Sequence, residues 1–203
     1  MGILSALFFA GIQSAEFYQS VHDEAVSLLP QGECRTWWDV GCGPGLVTRL
    51  AGDRGYRATG YDADPAMVYR ARAVAHARTD IKFEVATLEQ LAGSSMKADI
   101  VSATSLLAVL PDRAASLRQL LACVAPGGTL LLVEPDKSMT RDSARSWRAG
   151  RTIGRGAFFL DLWAATRNPA RAIGASTLDI AGWNRARHPL MGGLVNAWTM
   201  RRA

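Results

Sequence analysis

The chain has 203 residues, 49% of them hydrophobic and 20% charged, with a formal net charge of +5. That length fills one core and little more, and the balance excludes an intrinsically disordered chain. The basic excess is mild: it permits contact with phosphate or an acidic membrane surface and requires neither.

Three cysteines, Cys34, Cys42 and Cys123, form no CxxC pair and are odd in number, while His22, His76 and His188 lie far apart. No disulfide framework and no metal site is expected, and a reducing, cytoplasmic compartment fits.

Residues 2–29 read as a helix ending at Pro30, carrying Phe8, Phe9, Phe17 and Tyr18, with acids but no Lys or Arg. Its apolar start, Ile3 to Ile12, lacks the charged lead of a signal peptide and is about half of the roughly 20 residues a bilayer span needs. Thr36 to Val40 is a β-rich run, followed by a glycine turn and a helix over Leu46 to Asp53. Arg57 to Tyr61 is a second strand, and Pro65 suits the first turn of the next helix. Ile81 to Val85 and Ala98 to Ala103 are further strands. Asp112 is placed to cap a helix through Val124, Pro126-Gly127-Gly128 is a turn, and Thr129 to Glu134 is a fifth strand.

This alternation predicts an α/β, doubly wound, mostly parallel sheet with helices on both faces. Residues 137–176 hold no convincing strand. Leu178 to Arg187 and Leu194 to Arg201 read as two strands, and so short a connection makes them antiparallel. The expected organisation is one domain: a helical cap over 1–30, a core over 31–136, a helical insertion over 137–176 and a terminal hairpin over 177–203.

The turn Asp39-Val40-Gly41-Cys42-Gly43-Pro44-Gly45 joins the first strand to the next helix. Glycines there reach backbone angles closed to other residues and let a ligand approach the main chain. The helix that follows is expected to point free N–H groups at that ligand. An acid about 20 residues on, at the end of the second strand, accepts hydrogen bonds from a ribose, and Asp62 fits that place. Asp64 reads as a helix cap, and Cys42 as a small filler in the loop.

The spacing is G-x-G-x-G, and with Asp39 before it the turn resembles motif I of the class I S-adenosylmethionine-dependent methyltransferases. Gly60-Tyr-Asp-Ala-Asp-Pro65 is similar to their acidic second motif. Ala98-Asp-Ile-Val101 with Leu110-Pro-Asp112 resembles their fourth-strand motif, and Pro126-Gly-Gly-Thr-Leu-Leu-Leu-Val-Glu-Pro135 their fifth strand. The resemblance covers about residues 36–135 and the terminal strand pair, and it leans toward the small-molecule and lipid members of the family.

It implies a seven-stranded, Rossmann-like fold and S-adenosyl-L-methionine as cofactor. By the same resemblance Gly41, Cys42, Gly43 and Gly45 form the loop around the methionine part, with Asp39 orienting it. Asp62 holds the ribose. Ala63 and Met67 pack near the adenine, beside Thr87 and Leu88, where Thr87 replaces the family's usual Asp. Ala103 and Thr104 face the sulfonium.

The acceptor is read by elimination and from what lies outside the core. The segment Ser102-Ala-Thr-Ser-Leu106 lacks the Pro-Pro-aromatic motif of DNA amino-methyltransferases and the paired glutamates of arginine methyltransferases, so nucleic acid is not an expected partner. Residues 137–176 carry eight Lys/Arg and two acids, with Arg141, Arg145, Arg148, Arg151 and Arg155 spaced 4, 3, 3 and 4. If Gly150 and Gly154 permit one helix, that is a basic face beside the apolar Phe158, Phe159, Leu162 and Trp163, as an interfacial helix requires. The expected acceptor is a small apolar or lipid-like molecule under a cap that touches an anionic membrane surface.

Tyr18 and His188 are the candidate catalytic residues on the acceptor side. The competing functions are a non-catalytic S-adenosylmethionine-binding module and a nicotinamide-dependent oxidoreductase. The turn spacing and the antiparallel terminal strands argue against the oxidoreductase.

Overall fold

A computed structural model describes residues 11–76, 78–154 and 156–203. Seven strands form one sheet in the order β3-β2-β1-β4-β5-β7-β6. They are β1 (Thr36–Val40), β2 (Arg57–Asp62), β3 (Ile81–Val85), β4 (Ala98–Thr104), β5 (Val124–Pro135), β6 (Trp183–Leu190) and β7 (Val195–Arg202). The first five pair in parallel, and the β5–β7 and β6–β7 pairs are antiparallel.

The helices are α1 (Glu16–Ser27), α2 (Leu46–Asp53), α3 (Pro65–Val74), α4 (Leu88–Gly93), α5 (Arg113–Ala122), α6 (Arg141–Arg148) and α7 (Gly156–Ala165). Strand alternation sends neighbouring residues to opposite faces, and here both faces are covered. Trp37, Leu131, Val133 and Ala197 join a cluster with α1, α2, α3, α6 and α7. Their neighbours Trp38, Leu130, Leu132 and Trp198 join a second cluster with α4 and α5. Covering on both sides is why the central strands read as continuous apolar runs.

Side-chain caps fix where helices begin. Asp64 accepts from Ala66 N at 2.9 Å and Asp112 from Ala115 N at 2.9 Å. Thr87 opens α4 and Thr140 opens α6, each in a reciprocal pair with the residue three places on, Gln90 and Ser143.

Several expectations need correction. The N-terminal helix is not one piece: residues 11–14 are helical, Ala15 is extended with ψ 132°, and α1 starts at Glu16. Phe8 and Phe9 lie outside the described residues. The helix α4 was not anticipated. The strand β5 begins before the Pro-Gly-Gly turn, since Val124 already pairs with Ala98, and a bulge then brings Thr129 opposite Ile100. The strand β6 begins at Trp183, because Ala175–Leu178 is a 3₁₀ turn.

The arginine stripe does not run along one helix. Gly150 (φ 78°) and Gly154 (φ 47°) take left-handed angles and separate α6 from α7. Arg145 pairs with Asp142 at 3.5 Å, Arg148 with Asp161 at 3.2 Å, and Arg151 lies over the Trp147 ring at 4.7 Å, so three of the five direct their charge within the chain. Arg155 lies outside the described residues. Among these, no helix is long and apolar enough to cross a membrane.

Candidate active site

Between β1 and β4 the order in which the parallel strands are added reverses, and in open α/β sheets the crevice outside the carboxyl ends of the strands at that point receives ligands. A cavity of about 680 Å³ lies there, within the range of small-molecule sites. Gly41, Gly43 and Pro44 of the glycine turn form one edge, and Asp62, Ala63 and Met67 another. Leu88, Thr104, Leu106 and Leu110 continue the wall, and Tyr18 and Arg167 close it from the cap.

The buried Asp39 braces the turn from beneath. It accepts from Thr48 N at 3.1 Å and Thr48 Oγ1 at 2.8 Å, and from Ser102 Oγ at 2.8 Å. Ser102 in turn accepts from Trp37 Nε1 at 2.8 Å. Burial pushes the Asp39 carboxyl up to about 6, with these three hydroxyl and amide donors pulling the other way.

The glycines divide their work. Gly43 has φ 52°, and a side chain built on it would meet only Gln13 Nε2, at 3.4 Å, so the main chain there is open to a ligand. Gly45 has φ 83° and a side chain there would stand 2.5 Å from Phe83, so it packs on the core and does not line the cavity.

The N–H groups of the turn are taken up within the chain, and so is that of Leu46, one of those expected to face a ligand. Gly41 and Cys42 donate to Tyr61 O, Gly45 to Cys42 O, Gly43 to Asp62 Oδ2 at 2.9 Å and Leu46 to Gln13 Oε1 at 3.2 Å. What the turn offers a ligand is close main-chain approach beside a carboxylate. Asp62 also accepts from Asp64 N at 2.9 Å, and burial raises its carboxyl above the usual range.

Of the residues singled out from sequence, Gly41, Gly43, Asp62, Ala63, Met67, Leu88, Thr104 and Tyr18 line this cavity. Asp39, Cys42, Gly45 and Ala103 lie beneath or behind its wall. Cys42 is buried, and its thiol is pushed well above its usual range, first by burial and then by Asp39 and Asp62, which suits filler and not a nucleophile. Thr87 is a correction: its hydroxyl accepts from Gln90 N at 3.2 Å to start α4, and Ala86 and Leu88 face the cavity instead.

His188 is a second correction. It sits on the edge strand β6 beside Thr199, separated from β4 by β5 and β7, and does not reach the cavity. Tyr18 is buried, stacks on His22 at 4.1 Å and meets Trp163 edge-on at 5.2 Å. Burial pushes its phenol up to about 12, with Arg167 and the Ser105 hydroxyl pulling the other way.

Gln13, Ser105 and Arg167 were missed. All three reach the cavity only through tertiary packing, and none stands in a motif. Ser105 takes φ 53°, a strained angle for a side chain-bearing residue, directly after β4. The loop that follows is tied down by Arg171, whose Nε donates to Ala108 O at 2.6 Å, and by Leu107 N, which donates to the buried Glu134 at 2.7 Å.

Comparison with known proteins agrees with this architecture. A trans-aconitate 2-methyltransferase of Variovorax paradoxus is 30% identical over 115 residues, 56% of this chain and 43% of that protein. A ubiquinone biosynthesis O-methyltransferase of a Methylobacterium is 26% identical over 159 residues, 76% of this chain and 64% of that protein. The chain thus spans less than two thirds of either relative's length. The crystal structure of an S-adenosylmethionine-dependent methyltransferase from Mesorhizobium loti superposes with a TM-score of 0.64 at 21% identity, covering 94% of this chain and all of that one, which shows the shared fold. A family model for the methyltransferase domain matches residues 13–164, well over half of the sequence, and the chain therefore belongs to the methyltransferase domain family.

Proposed function

We propose that the protein is an S-adenosylmethionine-dependent methyltransferase whose acceptor is a small molecule with an apolar body. One observation carries the reading: the cavity at the β1–β4 switch point is edged by the open main chain of Gly43 and by the Asp62 carboxylate that it donates to. Those groups fit an adenosyl amino acid. Gly41 and Gly43 border its methionine part, Asp62 accepts from its ribose hydroxyls, and Ala63, Met67 and Leu88 flank its adenine. Thr104 and Ser105 line the cavity just past β4, where the sulfonium and the acceptor would meet.

The bound cofactor supplies a methyl group on an already activated sulfonium. The protein's part is to hold the acceptor in line and exclude water. Leu106, Val109 and Leu110 give the acceptor side an apolar wall, and Tyr18 with Trp163 closes the top.

The test is titration calorimetry with S-adenosylhomocysteine and with NAD, then transfer of labelled methyl to a fractionated cell extract. Homocysteine-nucleoside binding with labelled product supports the reading. Binding without any product favours the non-catalytic module, and NAD binding alone favours the oxidoreductase.

A peripheral contact with an anionic membrane surface is the finer proposal. It rests on Phe158, 66% exposed on α7, and on the exposed Arg141 and Arg145 of α6. Flotation with anionic vesicles at low salt tests it, and absence from the floated fraction refutes it.

A further inference from the structure

Arg167 stands just past the end of α7, at the acceptor side of the cavity. Its Nε is buried and has no hydrogen-bond partner. The arginine ion pairs among the described residues belong to Arg78, Arg145, Arg148, Arg185 and Arg187, and Arg167 is in none of them. Its guanidinium lies 5.5 Å from the Trp163 ring centre. A partly buried cation with no directly paired counterion is costly, and an anionic ligand in the cavity would supply the missing partner.

The charged neighbours attract it only from beyond ion-pair distance, Glu134 among them. Glu134 gives one oxygen to Leu107 N at 2.7 Å, its other oxygen has no partner, and no ion pair of 4 Å or less joins it to Arg167. The Asp62 and Asp64 carboxylates line the cavity at the β2 end, where Asp62 is bound to the glycine turn.

At its acceptor end the cavity is lined by donors, the guanidinium of Arg167 and the hydroxyls of Tyr18, Ser105 and Thr104, with no carboxylate or imidazole beside them in the lining. An amine or alcohol acceptor carries a proton that must leave during transfer. A carboxylate carries none, and a guanidinium fork matches its two oxygens.

We propose that Arg167 binds the carboxylate of the acceptor, and that the acceptor is an apolar carboxylic acid methylated on a carboxylate oxygen. The oxygen bonds to the methyl carbon as the carbon–sulfur bond breaks, and that electron pair stays on sulfur. The anion and the sulfonium become a neutral methyl ester and a neutral thioether, and no proton moves. This inference rests on the methyltransferase reading above.

The experiment begins with S-adenosylhomocysteine affinity in the wild type, Arg167→Lys and Arg167→Met. Each loaded protein is then titrated with octanoate and with octanamide, its neutral counterpart. We expect S-adenosylhomocysteine affinity within about twofold across the three proteins and at least a tenfold preference for octanoate in the wild type. That preference should be lost in Arg167→Met and partly kept in Arg167→Lys. Labelled methyl transferred to the acidic fraction of an organic extract should be released as methanol by mild alkali.

Equal binding of octanoate and octanamide by the wild type, an unchanged preference in Arg167→Met, or alkali-stable label would overturn the inference and leave the methyltransferase reading standing. No S-adenosylhomocysteine binding by the wild type would overturn both.

Discussion

Replacing Glu134 by Gln should remove a pH-dependent weakness from the fold. Glu134 is 1% exposed, and burial pushes its carboxyl from 4.5 up to about 7 against the pull of Leu107 N–H and Arg167. The folded protein thus holds this proton more tightly than the unfolded chain. The resulting stability is fully present below about 4.5 and is lost as pH rises through about 7. A rise of that size corresponds to about 3 kcal/mol. Gln keeps a carbonyl to accept from Leu107 N–H and cannot ionise. The stability of Glu134→Gln minus that of the wild type should therefore increase by about 2–3 kcal/mol between about pH 5 and pH 8. Urea denaturation at four pH values measures it. Asp39, pushed up to about 6, and His22, pulled down to about 4 by burial, titrate in both proteins and cancel in the difference. Parallel stability curves would show that Glu134 is not held protonated by its surroundings, and the reasoning would fail.

Asp62→Ala removes the carboxylate that accepts from Gly43 N in the glycine turn, and S-adenosylhomocysteine affinity should fall roughly ten- to a hundredfold by calorimetry, the loss of about 1.5–3 kcal/mol expected for hydrogen bonds to a charged group. Trp37→Ala empties a fully buried site and deletes the bond to Ser102 under Asp39, so denaturation should show a loss of about 3–5 kcal/mol. Asp112→Ala removes the cap of α5 and should cost about 1 kcal/mol with cofactor affinity unchanged.

Local signals served the sequence reading well. The strands β1 and β3 and the helix α2 fall on the residues expected, because each is bounded by turn residues or by Asp39-to-Gly45 chemistry that acts over a few positions. The antiparallel end of the sheet followed from one short connection. Failures arose where tertiary structure overrode a local pattern. The arginines spaced for one helical face were separated by two glycines whose left-handed angles no spacing rule reveals. The N-terminal helix was broken at Ala15, where Gln13 turns to accept from Leu46 N across 33 residues. That same contact takes an N–H expected to face the ligand. Arg167 reaches the cavity from a loop far from any motif, so its unpaired charge is visible only once the cap is folded over the sheet. His188 misled because β6 runs on to Leu190, past the expected end at Arg187, and lies at the far edge.

The most direct measurement is a crystal structure of the protein grown with S-adenosylhomocysteine. The account predicts the ribose hydroxyls within hydrogen-bond reach of Asp62, the adenine between Met67 and Leu88, and the thioether beside Thr104. A nucleoside bound elsewhere, or a cavity that stays closed to it at saturating concentration, would contradict the account.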